Sequence, residues 1–236
     1  MADRRVLTDK RIGVLMGGQS SEREVSLRTG QAVHQSLLRR GYHAVVIDVG
    51  PNLHRDLTEH KIELAFLSLH GPGGEDGTIQ GFLETIGIPY TGSGVQASAM
   101  GMHKVTTKTL AVSAKVPVPA GTQVRRGEQP SLAMVLKAAK LKLPVVVKPA
   151  EGSRGEAVSL GLSTYEEVAA AVALAQKVQN AVIVERHIEG HEYRLLVAGN
   201  KVIAATSAVD FEVTGNGRDT LYTLAAHAMG GREQDL

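Results

Sequence analysis

The segment that most constrains the fold begins where a short apolar run meets a glycine-rich polar stretch. Residues 65–69 read AFLSL, and residues 69–81 read LHGPGGEDGTIQG, which holds an imidazole, two carboxylates and five glycines. Glycine permits backbone conformations that are closed to other residues and lets a ligand approach the main chain closely. A packed core has no use for this composition. The segment therefore predicts a buried strand followed by a binding loop.

Three polar side chains of this loop are candidates for ligand contacts, namely His70, Glu75 and Asp76. They follow a strand directly, and open α/β sheets usually bind ligands at the carboxyl ends of their strands. The alternative interpretation is a polar surface turn with a solvated histidine.

The first half of the chain alternates strands and helices. RIGVLM, HAVVIDV and LAFLSL read as buried strands, and TIQGFLETIG reads as a short helix. In the stretch after GGQSSERE, Val25, Thr29, Val33 and Leu37 recur every four residues, which predicts one buried helix face. Such alternation indicates a parallel, doubly wound sheet of the Rossmann-like α/β class. The turn at residues 91–94, TGSG, predicts a domain boundary at residue 94 before a helical run from Val95 to Ala114.

The second half has an α+β pattern that is antiparallel in part. Two amphipathic helices are expected, one around Leu132–Ala139 and one around Val168–Ala175. Between them lies LPVVVKPAEGSRGEAVSLGL, which reads as a strand, a glycine-containing loop and a second strand. AVIVE is a further buried strand, and residues 192–208 predict a hairpin with its turn at Gly199 and Asn200.

Composition excludes several classes of function. The net charge of +2 is too small to indicate a nucleic-acid or membrane partner, and only 3 % of residues are aromatic. The chain has no cysteine, which excludes disulfides, thiolate metal sites and a cysteine nucleophile. The apolar run IGVLM near the start is too short for a signal peptide or a membrane span. We therefore expect a cytoplasmic protein.

A carboxylate at the start of the first helix is a second candidate. Ser20 or Ser21 can cap this helix, and Glu24 completes a capping box with Ser21. That role explains Glu24 but not Glu22, which lies beside the flexible Gly17 and Gly18. A substrate ammonium group is one partner for Glu22, and complementarity to the helix dipole is the alternative.

The pattern around Lys148 is typical of an anion site. Lys148 follows three valines on a predicted central strand, and a buried lysine needs an anionic partner. The loop that contains Gly152 and Gly155 begins four residues later, and its amides could surround phosphate oxygens. Lys104 is a second candidate phosphate cation, with a solvated helix lysine as the alternative.

Two carboxylates complete the set of candidates in this half. Glu185 ends the strand AVIVE, and Glu192 follows seven residues later. A carboxylate at a strand end can accept from an adenine amino group or a ribose hydroxyl, whereas a surface glutamate beside Arg186 is the plain alternative. Two lysines, a glycine loop and two acceptors together favour a nucleotide-binding lobe.

Five segments, taken in order, resemble the D-alanine–D-alanine ligase family of the ATP-grasp superfamily. They are GGQSSEREVSLRTG, LHGPGGEDGTIQG, YTGSGVQASAMGMHK, VVVKP and VIVERHIEGHEYR. The resemblance implies a Rossmann-like substrate-binding domain over residues 1–94, an ATP-grasp small lobe over 95–184 and the start of a C-terminal lobe over 185–236. It also implies an ATP-dependent, ADP-forming ligase of peptidoglycan precursor synthesis, with ATP and Mg²⁺ as cofactors and a homodimeric assembly.

The same resemblance assigns roles to individual residues. Glu22, His70 and Ser153 would hold the first D-alanine. The remaining candidates would bind ATP: Lys104, Lys148, Gly152, Gly155, Glu185 and Glu192. The lysines would contact the phosphates, and the glutamates would contact the adenine and the ribose.

The sequence departs from the family pattern in three places. The loop KPAEGSRGE is shorter and poorer in serine than the family loop. From about Glu185 onward the chain is more similar to the ATP-grasp domains of cyanophycin synthetase and bifunctional glutathione synthetases. The acidic Glu-x-Asn motif that holds magnesium in the family does not occur after Lys148.

Because of these departures, two readings of the chain and three of its function stay open. The chain is either a fragment or a naturally shortened protein. It is a D-alanine–D-alanine ligase, an ATP-grasp ligase for another amino acid or peptide, or a catalytically incomplete ATP-binding module.

Overall fold

The computed structural model describes residues 7–127, 131–152, 155–207 and 212–228. The chain divides into two compact units, Met1–His187 and Ile188–Leu236. The predicted mixed architecture, α/β followed by α+β, is confirmed.

The first sheet of the larger unit is parallel. It consists of β1 (Arg11–Gly17), β2 (His43–Val49) and β3 (Leu64–Leu67) in the order β2-β1-β3. A bridge between Ala65 and Tyr90 continues the sheet beyond β3 in the parallel sense. All the strands therefore present their carboxyl ends at one edge, as the sequence pattern predicts.

Three helices accompany this sheet: α1 (Arg23–Arg39), α2 (Leu53–Glu59) and α3 (Thr78–Thr85). Helices α2 and α3 contribute the buried leucines and isoleucine of a continuous apolar core with β1 to β3. Its members are Leu15, Ile47, Leu53, Leu57, Ile62, Ala65, Leu69, Ile79 and Leu83.

The buried face of α1 differs from the prediction by one position. Val25, Thr29, Val33 and Leu37 are only half-buried, whereas Ser26 and Gly30 are fully buried. A Cβ on Gly30 would lie 2.5 Å from Cβ of Met16, so α1 lies directly against β1 at this point. The four-residue spacing of the buried face was correct, but the closest contact between α1 and β1 is made by small residues. A search for apolar side chains overlooks such residues.

The predicted helical run from Val95 to Ala114 is two helices. Helix α4 (Val95–Met102) and helix α5 (Lys104–Ser113) are separated by His103, whose ψ of 100° is extended. The ring Nδ1 of His103 accepts from the Thr106 N–H at 3.1 Å and so caps α5. This histidine cap starts a new helix where the pattern indicated continuity.

The second sheet of the larger unit is antiparallel. It consists of β4 (Gly121–Arg125), β5 (Val145–Pro149), β6 (Ser159–Leu162) and β7 (Ala181–Arg186) in the order β4-β7-β5-β6. Helices α6 (Leu132–Ala138) and α7 (Tyr165–Val178) contribute to its core.

Helix α7 begins with a capping box, in which Thr164 and Glu167 satisfy each other's main-chain N–H groups. Its predicted apolar face is confirmed, because all four expected positions are buried: Val168, Ala171, Val172 and Ala175.

The smaller unit contains the predicted hairpin. Strands β8 (Tyr193–Ala198) and β9 (Lys201–Ser207) pair in antiparallel fashion around Gly199 and Asn200, and Gly199 takes a positive φ of 59°. Every residue of both strands is exposed. Helix α8 (Leu221–Ala228) follows. Within the described ranges, no helix has the length and apolar character needed to cross a membrane.

Candidate active site

A cavity of about 610 Å³ lies at the carboxyl edge of the parallel sheet. It is lined by the residues that follow β1, β2 and β3, together with the first turns of α2 and α3. His70 and the segment Gly17–Ser20 lie in its wall. The predicted binding loop therefore does form part of a cavity.

His70 is held by contacts on both sides of its ring. Its Nε2 lies 3.1 Å from the Thr29 hydroxyl, and its Nδ1 lies 3.7 Å from Oε1 of Glu75. The His70 carbonyl accepts from the Ser20 hydroxyl at 2.7 Å, which joins the loop after β3 to the loop after β1. The imidazole thus has a fixed orientation at the cavity wall.

Glu22 occupies the N-cap position of α1, where the sequence predicted Ser20 or Ser21. The Glu22 N–H donates to the Ser20 hydroxyl at 3.1 Å, so this serine orders the turn before the helix. The expected capping box of Ser21 and Glu24 is wrong, because the helix begins only at Arg23.

The carboxylate of Glu22 has unused hydrogen-bonding capacity. Its Oε1 is buried and has no hydrogen-bond partner among the described residues. A Cβ at Gly71 would lie 2.8 Å from this oxygen, and Gly71 has a φ of 71°. The glycine therefore allows the loop after β3 to approach Glu22 closely. A buried carboxylate oxygen without a donor suits a cationic ligand group.

The other two carboxylates of the loop stabilise the loop itself. Oε2 of Glu75 accepts from the Gly71 N–H at 2.8 Å. Asp76 accepts from the N–H groups of Gly73 at 2.8 Å and Thr78 at 3.0 Å. Burial alone would raise the pKa of Asp76, but these amides outweigh it and hold the pKa below its ordinary value.

An ion pair that sequence reasoning missed fixes the loop after β1. Arg23 donates to both carboxylate oxygens of Asp48, at 2.7 and 2.6 Å, and to the Gly18 carbonyl at 3.2 Å. The hydrogen bond to Arg23 lowers the pKa of Asp48. Glycine suits position 17, because its φ is 78° and a Cβ there would lie 2.1 Å from Oδ1 of Asp48.

A cluster of charged groups lies on one face of the antiparallel sheet. Glu185 of β7 is nearly fully buried, and its Oε1 lies 2.5 Å from the Lys148 ammonium of β5. Its Oε2 lies 2.6 Å from the ammonium of Lys108, which comes from α5; this contact is an ion pair without hydrogen-bond geometry. Lys148 is opposite Ile183, and Glu185 is opposite Val146, so Lys148 and Glu185 are diagonal neighbours on the same face.

Lys104 reaches this cluster from the start of α5. Its N–H donates to the Ala150 carbonyl at 3.1 Å, and its ammonium donates to the Gly152 carbonyl at 2.7 Å. Burial and the nearby charge of Lys148 lower the pKa of Lys104. Gly152, with a φ of 114°, and Gly155, with a φ of 72°, line a cavity of about 250 Å³ together with Lys104.

The structure therefore groups Lys104, Lys148, Gly152 and Glu185, and it places Gly155 beside them. Ser153 lies outside the described residues. Glu192 belongs to the smaller unit, where it is exposed and its Oε1 accepts from Nε of Arg194 at 3.2 Å. The sequence analysis did not include Lys108 among the candidate residues. Lys108 lies four residues after Lys104 on the same face of α5, and this spacing could have identified it.

No metal ligand set is found in the parts of the chain that the structure describes. None of their His, Asp and Glu side chains form a group of three that could hold a metal ion. The described residues thus do not by themselves fit a magnesium site.

A parallel α/β domain followed by an antiparallel lobe with lysines over one sheet face defines an ATP-grasp protein. The family model for the N-terminus of D-Ala–D-Ala ligase matches residues 51–93, and the model for the C-terminus matches residues 110–232. The chain belongs to the D-alanine–D-alanine ligase family.

Individual relatives agree with this assignment. The D-alanine–D-alanine ligase of Desulforudis audaxviator is 45 % identical over 86 % of this chain and 69 % of the relative. That of Alkalilimnicola ehrlichii is 40 % identical over 96 % of this chain and 72 % of the relative. The crystal structure of the Bacillus anthracis ligase complexed with ATP is 33 % identical, with a TM-score of 0.66, and covers 78 % of this chain. The chain spans 61 % of that structure, and about two thirds of the relatives it matches.

Proposed function

We propose that the protein acts as an ADP-forming ligase that joins two D-alanines through an acyl phosphate, in peptidoglycan precursor synthesis. The observation that carries the proposal is the cluster of Lys104, Lys148 and Glu185 beside Gly152. The family membership supports it further, and so does the buried carboxylate oxygen of Glu22 that has no partner among the described residues.

In this proposal Glu22 and His70 bind the first D-alanine. Oε1 of Glu22, which meets no donor in the described parts of the chain, accepts from the substrate ammonium, and the fixed imidazole of His70 lies nearby at the cavity wall. Ser153 would contact the same substrate. Binding of this kind orients the substrate carboxylate, and fixed orientation supplies much of the rate enhancement in two-substrate reactions.

The second site binds ATP. Lys104 and Lys148 place positive charge at the phosphates, and Gly152 and Gly155 let the main chain approach them. Glu185 and Glu192 are proposed to contact the adenine and the ribose. The substrate carboxylate attacks the γ-phosphorus, so that ADP leaves and an acyl phosphate forms.

The second D-alanine completes the reaction. Its amine attacks the acyl carbon, the bond from that carbon to the phosphate oxygen breaks, and inorganic phosphate and a proton are released. Phosphoryl transfer of this type depends on positioning and on charge stabilisation rather than on covalent chemistry by the protein. In this proposal Lys104 and Lys148 supply part of that charge.

The remaining expectations belong to the same proposal. Residues 1–94, 95–184 and 185–236 are the substrate domain, the small lobe and the start of the C-terminal lobe. Magnesium is expected to accompany ATP as in nucleotide-dependent enzymes generally, and a cytoplasmic homodimer is the expected form.

An ADP-release assay tests the proposal. The wild-type chain should release ADP with D-alanine and not with L-alanine. Lys148→Met should abolish ADP release, because it removes a positive charge that stabilises the transferring phosphoryl group. Lys177→Met, an exposed lysine of α7, is the matched control and should keep wild-type activity. ADP release that is equal with L-alanine, or ATP binding without any turnover, would contradict the proposal.

A further inference from the structure

Glu185 is shared between two lysines that come from different parts of the chain. Its side chain is only 7 % exposed, and each of its oxygens has its own ammonium: Lys148 at 2.5 Å and Lys108 at 2.6 Å. If a buried carboxylate pairs with a single ammonium group, the two opposite charges cancel. With two partners, the cluster keeps a net positive charge.

The charge balance of the cluster shows what Lys108 adds. Lys104, Lys108 and Lys148 carry three positive charges, Glu185 is the buried negative charge among them, and the exposed carboxylate of Glu151 lies near Lys104. The net charge of these five groups is therefore about +1, and it falls to about zero without Lys108. Charges in a partly buried site interact more strongly than in water, so this change is felt by any anion bound there.

The position of Lys108 separates its role from that of Lys104. Both lie on the same face of α5, four residues apart, but Lys104 donates to the glycine loop whereas Lys108 pairs with Glu185. Lys108 also lines a different cavity, of about 460 Å³, beside Val105 and Ile183, while Lys104 lines the one formed by the glycine loop. Lys108 thus contacts the charged cluster at the Glu185 carboxylate and not at the glycine loop.

We propose that Lys108 is a positioning residue for nucleotide phosphates: by pairing with Oε2 of Glu185, it offsets part of the negative charge of this carboxylate, so that Lys148 keeps a net attraction for them. The inference rests on the proposed function, because it takes Lys148 as a phosphate ligand. Lys108 itself does not contact the nucleotide in this scheme.

The test compares nucleotides that differ only in phosphate number. Adenosine, ADP and ATP are titrated calorimetrically into the full wild-type chain, Lys108→Met, Lys108→Arg and the control Lys177→Met, at one ionic strength. We expect Lys108→Met to weaken ATP binding about tenfold or more, the size of effect typical of truncating a buried charge pair. Adenosine binding should fall by a smaller factor than ATP binding, because adenosine has no phosphate charge to lose and only its contact with Glu185 is disturbed.

Two further variants show whether Lys108 acts through its neighbour. Lys108→Arg should restore most of the ATP affinity, because it retains the charge beside Glu185. In a Lys148→Met background, Lys108→Met should cause little further loss, since coupled residues are not additive. Full additivity would overturn the proposal, because it would mean that Lys108 binds phosphate independently. If Lys108→Met does not fold, Lys108→Gln takes its place in the same comparison.

The remaining outcomes are also decisive. Equal losses for adenosine and ATP would overturn the proposal, because they would mark a structural role. Unchanged binding in Lys108→Met would overturn it as well. A wild-type chain that binds no nucleotide would contradict both proposals. A chain that binds ATP without releasing ADP would contradict the ligase function only. In that case, comparing how much Lys108→Met weakens ATP binding and adenosine binding would still decide the role of Lys108.

Discussion

The two candidate sites use their charged groups differently. In the loop after β3, Glu75 and Asp76 accept hydrogen bonds from main-chain groups two to four residues away. In the antiparallel lobe, Glu185 pairs with lysines that lie 37 and 77 positions before it in the chain. The first arrangement is local and the second is tertiary. The comparison teaches that carboxylates from two sequence motifs can play different parts: those of the glycine-rich loop stabilise the loop itself, while Glu185 joins distant parts of the chain.

The largest expected effect breaks the tertiary arrangement. Glu185→Gln leaves the ammonium groups of Lys108 and Lys148 close together without a counter-charge. We expect the free energy of unfolding to fall by about 3 to 5 kcal/mol, as is typical when one partner of a buried ion pair is removed. Urea denaturation at neutral pH measures this, and Glu166→Gln, at an exposed position of α7, is the control. A change below about 0.5 kcal/mol, ordinary for surface sites, would mean that the cluster is well solvated.

A smaller effect is expected where the first site depends on close packing. Gly30→Ala places a methyl group 2.5 Å from Cβ of Met16 and should push α1 away from β1. We expect a net loss of about 1 to 2 kcal/mol, since overpacking outweighs the gain in helix propensity. Gly101→Ala on α4, where the methyl group meets nothing within 4 Å, should be neutral or stabilising in the same thermal unfolding experiment. Equal behaviour of the two variants would show that α1 adjusts freely.

The smallest effect concerns the local arrangement and depends on pH. The pKa of Asp76 is lowered in the folded protein. The ionised carboxylate therefore stabilises the fold above the ordinary carboxyl pKa of about 3.9, and this stabilisation is lost as the pH falls through the lower folded pKa. Asp76→Asn should remove this acid dependence and cost about 1 kcal/mol at neutral pH, the usual net value of a hydrogen bond. Urea midpoints of both proteins across the acid range measure it. Parallel pH profiles would show that the loop does not depend on the ionised carboxylate.

The sequence identified those elements whose signal is local. Strands β1, β2, β5 and β7 were found because each is a continuous apolar run, and α7 because all four of its expected core positions are buried. The burial of Ser26 and Gly30 was missed, because small residues carry no apolar signal even where two elements approach most closely. The break at His103 was missed because a histidine cap lacks the serine or aspartate that usually marks a helix start.

The sequence by itself determined the parallel and antiparallel sheets, the glycine-rich loop after β3 and the presence of lysines that suit an anion. These features could be found because hydrophobic periodicity and glycine content are signals contained in a few consecutive residues. Only the tertiary structure decided which groups meet: that Glu185 is shared by Lys108 and Lys148, that Gly71 lies against Glu22, and that Arg23 pairs with Asp48. The physical reason is that ion pairs and close approaches depend on distances in space, and strand pairing and helix packing set these between residues far apart in the chain.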